Sequence, residues 1–329
     1  MISAPKRFLT KAKCVAALAI AAVSVALPAH AGKDVWSQIT YPYGGNVYAL
    51  ASDSLGTLYA GSYTELVEEA SGGSTWSALG TYFDADYTSI ITDSSGNVYA
   101  ATSSGVFKYT KSTGTSTMND TFVHNGTTCY GASSVAIDNS GNLYATSCGV
   151  FKSTNGGTTW TWASTGVSSL NYATPAVSSL TVDGLGNIYV LAQNVGVFKS
   201  SNGGSSWTLL GGPYTSGVLV GDSSGNVYEG TQNGVYKYSG TGTTWTQSLA
   251  SYSVYPTGAL AADSSGNVYA TTTGGIFKTS NAGSTWTALA SQTNPNGLGS
   301  SLGYLTSLTV THSGAIYAGG NSVIFEYTP

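Results

Sequence analysis

The stretch DSSGNVYATTTGGIFKTSNAGSTW, residues 263–286, decides the fold, because variants of it recur along the whole chain. Aligned on the glycine of its D-x-x-G turn, the repeat has seven copies, spaced by 40, 45, 45, 39, 41 and 48 residues. The seven aligned glycines are Gly56, Gly96, Gly141, Gly186, Gly225, Gly266 and Gly314. Repeats of roughly 40–50 residues are typical of propeller blades and related arrays.

The copy at 179–210 shows what one repeat forms. Residues 179–183 alternate and are rich in β-branched side chains, which predicts strand a. A D-x-x-G-N turn follows, then strand b (NIYVLA), strand c (GVFKSS) and, opened by Trp207, strand d. Nothing in the unit favours a helix. We therefore predict an all-β, seven-bladed β-propeller with four antiparallel strands per blade.

The last copy predicts how the ring closes. It supplies strands a, b and c at 304–310, 315–320 and 322–328, with no strand d after them. The segment VWSQIT, 35–40, matches strand d of the other copies. We expect this N-terminal strand to complete the seventh blade, since closure removes exposed strand edges.

The third turn of the repeat resembles a known motif. STNGGTTW (153–160), SSNGGSSW (200–207) and TSNAGSTW (279–286) resemble the Asp-box, or BNR, repeat, and DSSGNVYA resembles the SBBP and regulator-propeller repeats. The resemblance implies a propeller of the sialidase, xyloglucanase and sortilin type. It implies no single activity, because Asp-box propellers serve as sialidases, xyloglucanases, sorting receptors and photosystem assembly factors.

Residues 1–31 read as a cleaved secretory signal, with a basic start, an apolar run and the tripeptide Ala29-His30-Ala31. We expect the rest, 32–329, to form one exported domain, periplasmic or extracellular, with no membrane span. That domain keeps seven lysines, no arginine and all fifteen acids, a formal charge of −8. So acidic a chain is a poor binder of nucleic acid or of anionic membranes.

Two cysteines remain after processing, Cys129 and Cys148. Cys129 precedes strand a of the third blade, and Cys148 lies in that blade's b–c turn. The d–a and b–c connections lie on one face of an antiparallel blade, so the two thiols can meet. Export favours their oxidation, and we predict a disulfide; two separate buried thiols are the alternative.

Features present in nearly every blade are expected to be structural. The turn aspartates are predicted to cap their turns, and the strand-c lysines are predicted to be solvated. No second carboxylate lies at calcium-ligand spacing, and no His/Cys cluster has zinc spacing. We therefore predict no metal and no cofactor.

The irregular d–a loops converge on one mouth of the central channel, and such loops usually carry function. Each contains an aromatic residue, and the predicted ligand-binding set is Tyr43, Tyr87, Tyr130, Tyr172, Tyr214, Tyr255 and Tyr304. Tyrosine rings with hydroxyls suit sugars and also extended peptides. The alternative is that these rings pack between blades.

The sequence supports a catalytic function less well than a binding function. Sialidase chemistry needs an arginine cluster, which the processed chain lacks. Hydrolysis of a neutral glycan needs two carboxylates about 5–10 Å apart, and Asp84 with Asp120 is the best pair. We therefore expect a monomeric, non-catalytic binding propeller for a neutral glycan or a protein partner. A glycoside hydrolase or lyase, or a periplasmic assembly factor, remains the alternative.

Overall fold

The computed structural model describes residues 34–39, 41–70, 73, 75–80, 86–164, 177–213, 217–250, 252–254, 258–291, 296–298 and 304–329. The predicted signal segment, 1–31, lies outside these residues. The described residues contain thirty strands and no helix.

Seven four-stranded antiparallel sheets, the blades, account for all but two of the strands. Strand β1 spans Trp36–Ile39. Blade 1 contains β2 (Ala49–Ser52), β3 (Leu58–Gly61), β4 (Leu66–Glu69) and β5 (Trp76–Ala78), and blade 2 contains β6 (Tyr87–Thr92), β7 (Val98–Thr102), β8 (Gly105–Thr110) and β9 (Thr115–Asn119). A separate hairpin, β10 (Phe122–His124) and β11 (Thr127–Cys129), precedes blade 3, which contains β12 (Ser134–Ile137), β13 (Leu143–Thr146), β14 (Val150–Ser153) and β15 (Thr161–Trp162).

The remaining blades repeat the plan. Blade 4 contains β16 (Val177–Val182), β17 (Ile188–Ala192), β18 (Gly196–Ser200) and β19 (Thr208–Gly211), and blade 5 contains β20 (Val218–Gly221), β21 (Val227–Thr231), β22 (Gly234–Tyr238) and β23 (Trp245–Ala250). Blade 6 contains β24 (Leu260–Ala262), β25 (Val268–Thr272), β26 (Gly275–Thr279) and β27 (Thr287–Ser291), and blade 7 contains β28 (Ser307–Val310), β29 (Ile316–Gly320), β30 (Val323–Tyr327) and β1. The predicted seven-bladed propeller is confirmed.

Strand β1 closes the ring as expected. It pairs antiparallel with β30, in a register that runs from Trp36 opposite Tyr327 to Ile39 opposite Ile324. The ring of Trp36 also packs on that of Tyr327, with centroids 5.2 Å apart. The first and last parts of the described chain are therefore joined by a full set of sheet hydrogen bonds.

The first strands of adjacent blades contact one another all the way round, so they form the inner wall of the ring. Hydroxyl groups join these strands across blade boundaries. The Thr92 hydroxyl donates to the Ser52 carbonyl at 3.1 Å, and the Leu219 amide donates to the Ser179 hydroxyl at 3.0 Å. Small hydroxyl side chains let the inner strands approach while satisfying backbone groups that no sheet partner reaches.

The core lies between blades. One apolar cluster joins Tyr189, Leu191 and Val197 of blade 4 to Leu219 and Val227 of blade 5, and six further clusters are built in the same way. Each blade therefore buries its faces against its two neighbours, as stacked repeats do.

The strand order gives the ring two faces. The a–b turns and the c–d turns, whose sequences resemble the Asp-box, lie on one, here called the Asp-box face. The d–a connections and the b–c turns lie on the other, here called the mouth face.

Candidate functional site

The turn aspartates of the Asp-box face are structural. In blade 4, Oδ1 of Asp183 accepts from the amides of Leu185 and Asn187, and Oδ2 accepts from the Asn187 amide group and the Tyr189 hydroxyl, all at 2.8–3.0 Å. Four other blades repeat this network around Asp93, Asp138, Asp222 and Asp263. All four acceptor positions are thus used within the turn.

The strand-c lysines differ from the sequence expectation, because they are not simply solvated. Lys108, Lys199 and Lys237 each donate to a backbone carbonyl in the Asp-box turn of the following blade, at 2.8, 3.1 and 2.8 Å. Most also lie over a tyrosine of their own blade, as Lys108 does over Tyr99 with the ammonium 5.5 Å from the ring centroid. These lysines join blades, and their two-sided contacts explain their periodicity.

The lysines also set the charge of the two faces. All six lysines of the described part, residues 108, 111, 152, 199, 237 and 278, hold their ammonium groups at the Asp-box face, on its tyrosines or turns. The sequence has no arginine beyond residue 7. The mouth face of the described residues therefore presents acids but no lysine or arginine.

Two of the predicted tyrosines are open to solvent on the mouth face. Tyr130 is 75% exposed and Tyr304 is 71% exposed. Tyr43 is half-buried, with its ring against Tyr41 at a centroid distance of 6.0 Å. Tyr172, Tyr214 and Tyr255 lie outside the described residues. The tyrosine ring predicted from sequence is thus described at four of its seven positions.

Tyr87 is a correction. It was predicted to line the mouth, but it begins β6 and is 2% exposed, in the cluster between blades 1 and 2. Its ring meets the edge of Phe107, with centroids 6.1 Å apart. A buried ring offers no surface to a ligand. Tyr87 therefore packs between blades, which is the alternative that the sequence left open.

Sequence reasoning missed two exposed tyrosines on the same face. Tyr63, 60% exposed, lies in the b–c turn of blade 1, and Tyr48, 39% exposed, precedes β2. Tyr63 lies outside the d–a loops, but the b–c turns share their face. An aromatic residue in a b–c turn was the signal that could have revealed Tyr63.

Tyr48 and Tyr304 precede adjoining inner strands, β2 and β28, where blade 1 meets blade 7. The hydroxyls of Thr306 and Ser307 both donate to the Val47 carbonyl at 2.7 Å, which holds the starts of these strands together. The side-chain amide of Asn46 donates to the Tyr48 hydroxyl at 3.3 Å. This part of the mouth face therefore combines exposed aromatic rings with an amide, the groups that neutral polar ligands need.

The proposed catalytic pair cannot be assembled from the described residues. Asp84 lies outside them. Asp120 is exposed, and its Oδ1 accepts from the neighbouring Thr121 hydroxyl at 2.8 Å. Within the described part, no three His, Cys, Asp or Glu side chains cluster in a way that could hold a metal ion.

The structure joins Cys129 and Cys148 in a disulfide, with Cα atoms 5.8 Å apart. The bond links the end of β11 to the b–c turn of blade 3. The connection from blade 2 to blade 3 contains the β10–β11 hairpin. Phe122 of this hairpin is buried against Phe151, and His124 stacks on Trp162 with ring centroids 3.8 Å apart. The disulfide and these rings fix the connection that carries Tyr130.

Glu229 is an exception within the repeat that sequence reasoning did not single out. It lies on β21 opposite Leu219, and the equivalent position in every other blade is alanine or valine: Ala60, Ala100, Ala145, Val190, Ala270 and Ala318. Its side chain is 0% exposed, and neither carboxyl oxygen has a hydrogen-bond partner in the described structure. Burial raises the pKa of Glu229 to about 8. The sequence does contain a signal for this residue, because an acid stands at a repeat position that is apolar in all other copies.

A second raised pKa lies near the mouth, in blade 1. Glu65 belongs to the b–c turn and lines a small pocket with Leu66, Leu79 and Tyr87. Burial raises its pKa, and its Oε2 has no partner among the described residues. Both acids lie between blades, beneath the mouth face.

In the described residues, no helix is long and apolar enough to cross a membrane. Neither the protein-family models nor the curated protein sequences include a match to this chain. The fold does match solved structures of β-propellers.

Three of these show the range of the likeness. An extracellular domain, BT4673, of a hybrid two-component system from B. thetaiotaomicron matches with a TM-score of 0.67 and 16% identity, over 88% of this chain and 39% of that one. YCF48 from Cyanidioschyzon merolae matches with a TM-score of 0.64 and 13% identity, over 90% of this chain and 99% of that one. Virginiamycin B lyase from Staphylococcus aureus matches with a TM-score of 0.65 and 13% identity, over 89% of this chain and 99% of that one. At such identities the likeness establishes the fold alone, and the chain is a seven-bladed β-propeller.

Proposed function

We propose that this chain is a non-catalytic binding propeller that recognises a neutral glycan on its mouth face. The observation that carries the proposal is the set of exposed tyrosines, Tyr63, Tyr130 and Tyr304, on a face whose described part has no lysine or arginine. Sugar rings present C–H faces that pack on aromatic rings and hydroxyls that need hydrogen-bond partners. Open tyrosines and the Asn46 amide supply both.

The charge distribution narrows the ligand class. Transferring an anion from water to a protein surface is unfavourable unless a cation or several donors compensate. The described lysines point to the Asp-box face, while Asp86, Asp120 and Glu65 lie on the mouth side. Acidic sugars and phosphorylated ligands therefore fit this face poorly, and neutral ones fit it well.

Export is part of the proposal. The sequence starts with a segment typical of a secretory signal, and the disulfide between Cys129 and Cys148 suits an oxidising compartment. Extracellular propeller domains of B. thetaiotaomicron share the fold. We propose a periplasmic or extracellular location.

The test is a glycan-array screen and polysaccharide pull-down with residues 32–329. The variant Tyr63→Ala/Tyr130→Ala/Tyr304→Ala removes the exposed rings of the mouth face. The matched control, Leu55→Ala/Leu185→Ala, removes exposed apolar side chains, 74% and 70% exposed, from turns of the Asp-box face. We expect neutral-glycan binding that the triple variant loses by at least tenfold and the control keeps.

A protein ligand on the same face is the second candidate, and YCF48, which shares the fold, has been solved bound to a D1 peptide. A negative screen across neutral glycans would overturn the sugar proposal. Cross-linking in the native envelope would then identify a partner, and its loss in the triple variant would place it on the mouth face. Turnover of a bound glycan that Asp84→Asn/Asp120→Asn abolishes would instead make the protein an enzyme.

A further inference from the structure

Both carboxyl oxygens of Glu229 are buried and neither has a hydrogen-bond partner in the described structure, whereas the buried turn aspartates Asp183 and Asp222 accept several hydrogen bonds. It faces blade 4 from β21, next to Val197 of β18 and Leu219 of β20. An isolated carboxylate in such surroundings is unstable, and the group stays neutral by keeping its proton.

Two glycines make the room for this carboxyl. A β-carbon placed on Gly212 would lie 3.3 Å from its Oε2, and one placed on Gly217 would lie 3.3 Å from its Oε1. Gly212 also has a φ of 132°, a conformation that side-chain-bearing residues rarely adopt. These glycines bound the d–a segment between blades 4 and 5, so the carboxyl lies directly beneath the mouth face.

Among the described residues no charge compensates Glu229, and burial is the cause of its raised pKa. The residues that face it are Val197 from β18, Leu219 from β20, Tyr236 from β22 and the two glycines, and none of these carries a charge at neutral pH. The charged groups of this blade interface, Lys199 and Asp183, lie at its Asp-box end, where they bind Gly240 and Tyr189. The proton of Glu229 is therefore the group that decides whether a charge is buried there.

We propose that Glu229 is a proton-controlled support for the mouth face. Its neutral carboxyl packs beneath Gly212 and Gly217, and loss of its proton displaces these two glycines. An ionised carboxylate must gain water, and the glycines are its thinnest cover because they have no side chains. Because burial raises its pKa from the ordinary 4.5 to about 8, the closed arrangement loses stability as the pH rises between these two values. Gly212 and Gly217 are then held most firmly in acidic surroundings and least firmly from about pH 8 upward.

An effect of this displacement on ligand binding rests on the proposed function, whereas the displacement itself does not. The test therefore needs no ligand. Amide hydrogen exchange at 211–213 and 217–219 is measured in residues 32–329 between pH 6 and pH 9, corrected for intrinsic base catalysis. Each unit of pH increase below the raised pKa favours the opened form by about tenfold, so we expect protection at these amides to fall roughly tenfold per unit between pH 6 and pH 8 beyond the correction, and then to level off.

Glu229→Gln keeps the shape and cannot ionise, and Glu229→Ala restores the residue found in most blades. Both variants are expected to keep constant protection across this range, while Glu69→Gln, at the boundary of blades 7 and 1, keeps the wild-type change. Equal loss of protection in Glu229→Ala or Glu229→Gln and in the wild type would overturn the proposal. So would a Glu229 carboxyl ¹³C resonance that titrates below pH 6.

Discussion

The ammonium of Lys111, in blade 2, lies 2.6 Å from Oδ2 of Asp53, in the a–b turn of blade 1. It also lies over the ring of Tyr59, 6.0 Å from the centroid. In blades 2 to 4 the lysine on the tyrosine comes from strand c of the same blade, at 108, 152 and 199, but blade 1 has Glu68 at this position. The following blade therefore supplies the cation that the local strand lacks.

This pair predicts a salt-bridge variant with a defined pH dependence. Burial alone would raise the pKa of Asp53, but hydrogen bonds from Lys111 and Thr57 hold it below its ordinary value. Lys111→Ala leaves the buried carboxylate without its cation, so we expect the free energy of unfolding to fall by about 1–2 kcal/mol at pH 7. Chemical denaturation measures the change.

The sign of the pH effect is fixed by the lowered pKa. The stabilisation is present above the pKa of Asp53 in the unfolded chain and is lost as the pH falls through its lower folded value. The difference between wild type and Lys111→Ala should therefore shrink as the pH falls below 3.8, the ordinary pKa of the group. Lys278→Ala, which removes an ammonium stacked on Tyr269, is the control and should cost only about 0.5 kcal/mol. An equal loss in both variants would contradict the pairing.

The boundary of blades 7 and 1 predicts a pH dependence of opposite sign. Burial, and then the negative charge of Glu326, raise the pKa of Glu69 to about 7 from its ordinary 4.5. Between these values the unfolded chain releases its proton and the folded chain keeps it, so stability falls as the pH rises from about 4.5 to about 7.

Glu69→Gln should remove this part of the pH dependence, because the amide cannot ionise. It should stabilise the ring by roughly 1–2 kcal/mol at pH 8, and the gain stays this small because the side chain is only partly enclosed. Thermal unfolding at pH 5 and pH 8 measures it. Asp120→Asn, an exposed carboxylate of the mouth face, is the control and should change neither value. A Glu69→Gln variant that follows the wild-type slope would show that Glu69 ionises without penalty.

The repeat made the blades predictable because the five copies from Asp93 to Asp263 carry the same D-x-x-G-N turn and all seven share the strand pattern around it. The site was less predictable, because a side chain's position in a loop does not reveal its direction. Tyr87 and Tyr304 both flank strand a of a blade, yet one is buried and the other open. Glu229 shows the converse, since alignment of the copies marks it as an exception before any coordinates are seen.

The disulfide predicts a local loss of stability. Cys129 and Cys148 are 19 residues apart and fix the β10–β11 hairpin to blade 3. Replacing both by alanine should lower the free energy of unfolding by about 2–4 kcal/mol, because the unfolded chain regains the freedom of that loop. Denaturation with and without a reductant measures it: the reductant should destabilise the wild type and leave the double variant unchanged. A wild type insensitive to full reduction would contradict this prediction.

The turn aspartates predict a graded series within one chain. Asp183 is 2% exposed and accepts four hydrogen bonds, whereas Thr311, at the same turn position in blade 7, accepts from the Ala315 amide at 3.0 Å and donates to the Ala315 carbonyl. Asp183→Ala leaves buried donors on Asn187 and Tyr189 unpaired, so we expect a loss of about 2–4 kcal/mol. Thr311→Ala should cost about 1 kcal/mol, because fewer donors lose a partner. Denaturant midpoints at constant slope compare the two, and a Thr311 variant as unstable as the Asp183 variant would show that turn geometry, rather than the number of hydrogen bonds, sets the cost.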